Sequence, residues 1–422
     1  MKYKLVISIL VVTCNNLFSQ TSVTLKGEQE TIYPFETESE RLYFDWLKNG
    51  KDFENIEVFA MGEATHGTKD FFDIKVRSFQ YLVKNENFKI FGIEASYGEC
   101  NYINDYIQSG IGNIDSIMNY INFWTWRTEE VKELVIWMKE YNQRHTEKLK
   151  FYGFDMQDSF IPLKYLADIF CNDTNTYVAA FNEIVKPIIQ KNDYEIGLLI
   201  KKEGQKFKDT LKAISKQLYQ WSEKYKNDII TKYSLNKFRQ LHFNLLTFEQ
   251  AINRYNKQFN YRDSCMAVNV IEIQRMENEK IFLWAHNGHV NKSLPYAKSL
   301  KPMGEHLHER FKMKYYSVGF VFSEGSFWAL ERVNKTKIEL KVVTLPVYSK
   351  NTFTKAFDET GLRQFFIDLQ ASNNSLFEKK LRAYSLGSMF RNKKKCSILI
   401  IAQKQFDGII YTKVTSSAIP LK

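Results

Sequence analysis

Cysteine is scarce and scattered in this chain. There are five in 422 residues, none in a Cys-x-x-Cys pair, which argues against a zinc-finger-type site. Beyond residue 20 there is no apolar run of the ~20 residues that a bilayer-crossing helix needs. No Gly-x-Ser-x-Gly elbow occurs, so a serine-hydrolase reading lacks its nucleophile. No glycine-rich loop is present to cradle a phosphate. Acidic residues are the minority, 48 against 59 basic ones, for a net charge of +11. The basic residues are spread out, the tightest run being Lys393-Lys394-Lys395. A nucleic-acid protein concentrates them on one element beside stacking aromatics, so no nucleic-acid partner is expected. The excess reads as a solvated basic surface suited to anionic envelope material.

What is present fits a globular protein. The chain is 44% hydrophobic and 25% charged, enough to bury a large core in one elaborated domain or two. Aromatics, at 15%, suit a roomy apolar pocket. Residues 1–19 read as a leader rather than as part of the fold. Lys2 and Lys4 precede an apolar run from Leu5 to Val12, and a short polar tail reaches Ser19-Gln20. That is the pattern of a secretory signal, with cleavage expected after Ser19. Loss of Lys2 and Lys4, with no acidic residue, takes the net charge from +11 to +9. The mature protein is then exported, periplasmic or secreted, without stable membrane insertion. It retains Cys100, Cys171, Cys265 and Cys396. An oxidising compartment allows a disulfide among them, which the sequence does not assign.

The first part of the chain alternates strand and helix signals. Strands are expected over Ile56 to Gly62, Lys89 to Ile93 and Leu149 to Phe154. Helices are expected over Asp70 to Val83, Glu99 to Ile107 and Thr128 to Tyr141, the last with Thr128 as N-cap. This alternation argues for βαβ units and a parallel sheet. From Lys201 to Asn278 there is no proline and one glycine, Gly204. Phe207, Leu211, Ile214, Leu218 and Trp221 repeat at helical spacing, as do Phe238, Leu241, Leu245, Phe248 and Ile252. Such stripes mean long amphipathic helices packed on each other. Residues of about 161–276 therefore read as a helical insertion. The sheet is expected to resume at Lys280 to Ala285, with strands at Tyr315 to Phe322, Phe327 to Leu330, Lys337 to Val343, Cys396 to Ala402 and Gly408 to Tyr411. The fold class is α/β: a central, mostly parallel sheet flanked by helices, with the inserted long helices as one wall of a cleft.

Three of only seven histidines fall at two strand ends. Gly62-Glu63-Ala64-Thr65-His66-Gly67 follows the first strand, and His286-Asn287-Gly288-His289 follows Ile281 to Ala285. The loop edge of an open parallel sheet is where sites form. A histidine near neutral pH serves as a general base, and a nearby glutamate orients it or holds water. His286 and His289 could chelate a metal or face a substrate. Glu94, at the end of the second strand, needs a cationic or imidazole partner if buried. Asp155 has the same place on the third strand, where bonding to loop amides is the simpler reading. Lys75 lies in line with Phe72, Phe79 and Leu82, so it either snorkels or pairs with a site carboxylate. Arg262 opens the last inserted helix and could clamp a carboxylate or polarise a carbonyl.

These segments, in this order, resemble the erythromycin esterase family. The match runs through Gly62–Gly67 with Phe71, Phe72 and Lys75, then Phe91-Gly92-Ile93-Glu94-Ala95, then Trp124-Thr125-Trp126 with Thr128 to Val131. It continues through Phe151 to Gln157, Arg262-Asp263 with Met266, Ala267 and Asn269, Trp284 to His289, and Phe406-Asp407-Gly408. The resemblance covers nearly all of residues 20–422. It implies ester hydrolysis without a covalent enzyme intermediate and without metal or other cofactor. By it, His66 is the base that activates water, and Glu63 and Glu94 orient the histidines and the water. His286 and His289 position or polarise the ester carbonyl, and Arg262 and Lys75 give cationic support to the oxyanion. Trp126 and Asp155 are expected to contact the substrate, a small-molecule ester of cyclic or bulky type such as a macrolide lactone. Two other readings use the same residues. One is a metal-dependent hydrolase with Glu63, His66, His286 and His289 as ligands. The other is a non-catalytic envelope protein that binds haem or a polyketide.

Overall fold

The computed structural model describes residues 21–25, 28–35, 53–158, 160–254, 260–295, 297, 299–334, 337–347 and 352–421. The leader expected over residues 1–19 lies outside them. The central strands are buried along nearly their whole length, and successive side chains leave opposite faces of the sheet. Val58 and Ala60 join one apolar cluster while Phe59 and Met61 join another. Both faces of the sheet are therefore covered, the condition under which parallel strands are found.

The strands are β1 (Thr21–Leu25), β2 (Glu28–Pro34), β3 (Val58–Met61), β4 (Phe88–Ser96), β5 (Lys150–Asp155), β6 (Lys280–Trp284), β7 (Tyr315–Arg332), β8 (Ile338–Leu345), β9 (Gln364–Asp368), β10 (Leu381–Tyr384), β11 (Met389–Phe390), β12 (Ser397–Ile400) and β13 (Gly408–Thr415). The main sheet runs β1-β2-β9-β13-β7-β3-β6-β4-β5, with β8 and β11 added on β7. From β13 to β5 every neighbour is parallel. The wing of β1, β2 and β9 is antiparallel. The expected α/β class and mostly parallel sheet are thus observed, and β1, β2 and β9 extend them.

Three expected strands differ. Tyr315 to Phe322 and Phe327 to Leu330 are one strand, β7. Between them Gly325 takes φ 133°, and a Cβ there would collide with the Thr415 carbonyl, so glycine lets the strand continue past Thr415. The segment from Cys396 lies outside the main sheet, because β12 pairs with β10 alone.

The helices that matter for the site are α1 (Lys69–Glu86), α2 (Tyr97–Ser109), α3 (Glu129–Arg144), α4 (Ile161–Phe170), α5 (Gln205–Lys224), α6 (Leu235–Asn253) and α7 (Tyr261–Glu277). Thr128 caps α3, its Oγ1 accepting from the Val131 amide at 3.4 Å. α1, α2 and α3 pack on the face that carries Phe59, Phe91 and Phe282. α7 covers the other face with Met266, Ala267, Val270 and Ile273. The stripes on α5 and α6 are buried together in a third core with Leu163, Leu166 and Phe181. Cys100, Cys171, Cys265 and Cys396 are all free thiols. Among the described residues no helix is long and apolar enough to cross a membrane.

Candidate active site

β3, β4, β5 and β6 all end at one edge of the sheet, and parallel pairing brings their C-terminal loops together. The loop after β3 is pinned by its backbone. The Gly62 amide donates to the Val318 carbonyl at 2.8 Å, and the Glu63 carbonyl accepts from the Asn287 amide at 2.9 Å. Gly62 is required there, since a Cβ would come within 2.1 Å of Asn287 Oδ1. Asn287 is itself fixed on β7, donating to the Phe320 carbonyl at 2.7 Å and accepting from the Phe320 amide at 3.0 Å. The two histidine motifs are therefore joined directly, through the main chain.

Glu63 is fully buried and every contact on its carboxylate is a donor. Oε1 meets His66 Nδ1 at 2.5 Å, and Oε2 meets Lys75 Nζ at 2.5 Å and the Trp284 indole N–H at 2.8 Å. Burial pushes the Glu63 carboxyl up, but the Lys75 ammonium and the His66 hydrogen bond outweigh it and hold it below the usual range. Burial in turn drops the Lys75 ammonium to about 8, with Glu63 opposing. Lys75 is fully enclosed, its ammonium 4.6 Å from the Trp284 ring centroid. Of the two readings open for it, it pairs with a site carboxylate and stands behind Glu63.

His66 is 8% exposed. With Nδ1 tied to Glu63, its Nε2 has no protein partner among the described residues. Its ring lies 5.3 Å from that of His286 and edge-on to Trp126 at 5.9 Å. Trp126 is buried, and its indole N–H donates to the Glu94 carbonyl at 2.8 Å. It forms a wall behind His66.

Glu94 lies within β4 rather than at its end, at an irregularity in the pairing with β5 between Ile93 and Ser96. Irregular pairing of this kind re-aims a side chain. Glu94 Oε2 accepts from the His286 amide at 2.9 Å, while Oε1 accepts from Arg262 Nη2 at 2.7 Å and lies 3.3 Å from His289 Nε2. Burial raises its carboxyl, yet His289 and then Arg262 hold it well below the usual range. Arg262 also forks onto Asp155, with Nη2 to Oδ2 at 2.7 Å. Asp155 accepts from the Met156 amide at 2.7 Å as well, so it serves both a loop amide and the guanidinium.

The two later histidines carry opposite charge states. His286 accepts from the Gly288 amide at Nδ1, 3.1 Å away, which leaves the proton on Nε2, 3.3 Å from the Ala64 carbonyl. Burial and then His66 push it down to about 4, so it is neutral in the physiological range. His289 is held at Nδ1 by Asp263 at 2.7 Å and faces Glu94 at Nε2. Burial opposes its charge, but Glu94 and Asp263 outweigh it and raise it to about 10. Three carboxylates surround Arg262 and His289, so an imidazolium lessens a net negative charge. Arg262 Nη1 approaches His289 Nε2 at 3.1 Å, and Glu94 Oε1 lies against both donors.

The structure thus brings Glu63, His66, Glu94, Lys75, Trp126, Asp155, Arg262, His286 and His289 to one place. Asp263 was not among the expected site residues. It holds His289 and also accepts from the Met303 amide at 2.9 Å; its adjacency to Arg262 was the available signal. Glu63, His66, His286 and His289 do not converge as one ligand set, since both Glu63 oxygens are engaged by protein donors. Among the described residues no group of three or more His, Cys, Asp or Glu is placed to hold a metal.

The chain is similar to several known proteins. A family model described as erythromycin esterase matches residues 83–415; Glu94, Arg262, His286 and His289 lie inside the match and the Glu63–His66 loop just ahead of it. Erythromycin esterase type II of Escherichia coli is 25% identical over 368 residues, covering 79% of this chain and 87% of that protein. A crystal structure of a Bacillus cereus protein superposes with a TM-score of 0.78 at 22% identity, covering 93% of this chain and 97% of that one. An erythromycin esterase mutant in its open conformation gives a TM-score of 0.61 at 16% identity, covering 87% and 92%.

Proposed function

The chain belongs to the erythromycin esterase family, and on that premise we propose that it cleaves carboxylic esters with water activated by His66 and no covalent enzyme intermediate. Membership makes it a hydrolase; the ester class and the mechanism are our reading. The observation that carries it is the Glu63–His66 pair, with Nδ1 bound at 2.5 Å and Nε2 left to accept. A base needs a free lone pair on one nitrogen and a fixed tautomer on the other. His66 Nε2 takes a proton from water as the water oxygen attacks the ester carbonyl carbon. The negative charge that develops on the carbonyl oxygen is met by His286 Nε2–H, weakly held at 3.3 Å, while His289 and Arg262 offset the charge of Glu94, Asp155 and Asp263 behind it. The carbon–oxygen bond to the leaving group then breaks, and His66 returns its proton to the departing alkoxide. Lys75 keeps Glu63 ionised throughout. Preorganised donors of this kind are usually the largest part of the barrier reduction in acyl transfer.

A single turnover in ¹⁸O-water tests the step: label enters the product acid in the first turnover, and rapid quench shows no acylated protein by mass. An acyl-enzyme mass would overturn it. The substrate class we infer is a cyclic or bulky ester, with macrolide lactones first among those to test because of the names of the relatives. We also propose that residues 1–19 are a leader that directs export, and the expected result of N-terminal sequencing of the mature protein is a start at Gln20. A start at Met1 would contradict export by this route.

A further inference from the structure

At the far edge of the sheet from His66 a second cavity, of about 340 Å³, opens between α2, the start of β5 and α6. Its size falls in the range of small-molecule sites. Asp155, at the C-terminal end of β5, belongs to the active site, and Lys150, at the other end, lines this cavity. The two are separated by the length of the strand, roughly 16 Å at about 3.3 Å per residue.

Two polar groups at this cavity lack a partner among the described residues. Tyr97 is 1% exposed, and its hydroxyl makes no hydrogen bond. The ring cannot turn away, since it packs at 4.1 Å on Phe243 and at 6.0 Å, parallel, on Tyr152. A buried hydroxyl without a partner is costly, and native proteins rarely leave one. Arg239 on α6 is exposed and lines the cavity, and among the described residues it makes no salt bridge. The neighbouring cations are already neutralised, Lys150 by Glu277 and Lys237 by Asp105 at 3.1 Å. Asn104, Asn236 and Gln240 add amides to the wall.

We propose that this cavity binds a small polyhydroxylated anion, an acidic sugar, with its anionic group on Arg239 and a ring hydroxyl on Tyr97. A guanidinium forks onto a planar carboxylate or onto phosphate oxygens. Side-chain amides both donate and accept, as neighbouring hydroxyls require. The site stands apart from the His66 cleft and does not rest on the esterase mechanism.

Calorimetric titration of the full chain with D-glucuronate, D-glucose 6-phosphate, D-glucose and inorganic phosphate tests it. The expected result is saturable binding of at least one anionic sugar, ten-fold or more tighter than glucose or phosphate. Arg239→Gln, at an exposed position, should weaken it ten-fold or more, Tyr97→Phe several-fold, and His66→Ala not at all. Four results overturn the site: no binding of either anionic sugar, phosphate alone binding as tightly, Arg239→Gln without effect, or binding lost in His66→Ala. Tyr97→Phe binding like wild type would overturn the placement of the sugar against that hydroxyl.

Discussion

Glu63 meets His66 at Nδ1 alone, whereas His289 is met at both ring nitrogens, by Asp263 and by Glu94. The first arrangement leaves a lone pair for base work, and the second stores a proton. The charge on His289 has a consequence for stability. Its folded value, about 10, stands above the ordinary 6.5. A raised value means that the folded state holds the proton more tightly, so the contribution is complete below pH 6.5 and is lost as pH rises from there through 10. Its full size is on the order of a few kcal/mol. Urea unfolding should therefore show the stability gap between wild type and His289→Gln narrowing from pH 6.5 to 10. A gap that stays constant would contradict the imidazolium. At this scale Glu63, His66, Glu94 and the later histidines were legible as polar residues at the ends of apolar runs. Lys75 was not settled by pattern, because a lysine in an apolar stripe either snorkels or pairs. Asp263 escaped because its role exists only once α7 docks over the loop of His289.

At the scale of elements, close backbone approach sets the geometry. Gly62 allows the β3 loop to lie against Asn287, and Gly153 on β5 sits where a Cβ would come within 2.4 Å of the Ala95 carbonyl. The second contact supports the irregularity in β4 that aims Glu94 inward. Gly62→Ala should push Asn287 off its two bonds to Phe320 and spread the histidine motifs. Overpacking of this type costs about 1–3 kcal/mol, and turnover should fall well beyond what that loss of stability explains. Thermal melting and kcat measured together check this; a variant with wild-type kcat would show that the spacing of the two loops is not critical. The central strands were readable because their apolar runs are short and bounded. The end of β4 was not, since a buried Glu94 looks like a terminus when its partners are unknown. β7 looked like two strands because glycine signals a break, and only its fit against Thr415 shows why the chain continues. β12 carries an ordinary strand pattern, and nothing local says that its partner is β10 rather than the main sheet.

Across the whole molecule, two apolar cores sandwich the sheet and a third belongs to the helical segment that begins with α4. Arg262, at the start of α7, ties that segment to Glu94 and Asp155 on two strands of the sheet. The helical segment thereby closes one side of the site with a charged contact rather than apolar packing alone. The helical stripes on α5 and α6 revealed this segment from sequence. The N-terminal wing of the sheet was hidden, because its pairing to β9 spans most of the chain. The account's central claim is that the two histidine motifs form one hydrolytic centre with His66 as its base. Steady-state hydrolysis of a panel of carboxylic esters, including a macrolide lactone, by wild type and His66→Ala tests this most directly. The account predicts turnover by wild type and a fall in kcat of about 100- to 10,000-fold in the variant, the usual contribution of a general base. Wild-type turnover that persists unchanged in His66→Ala would contradict it.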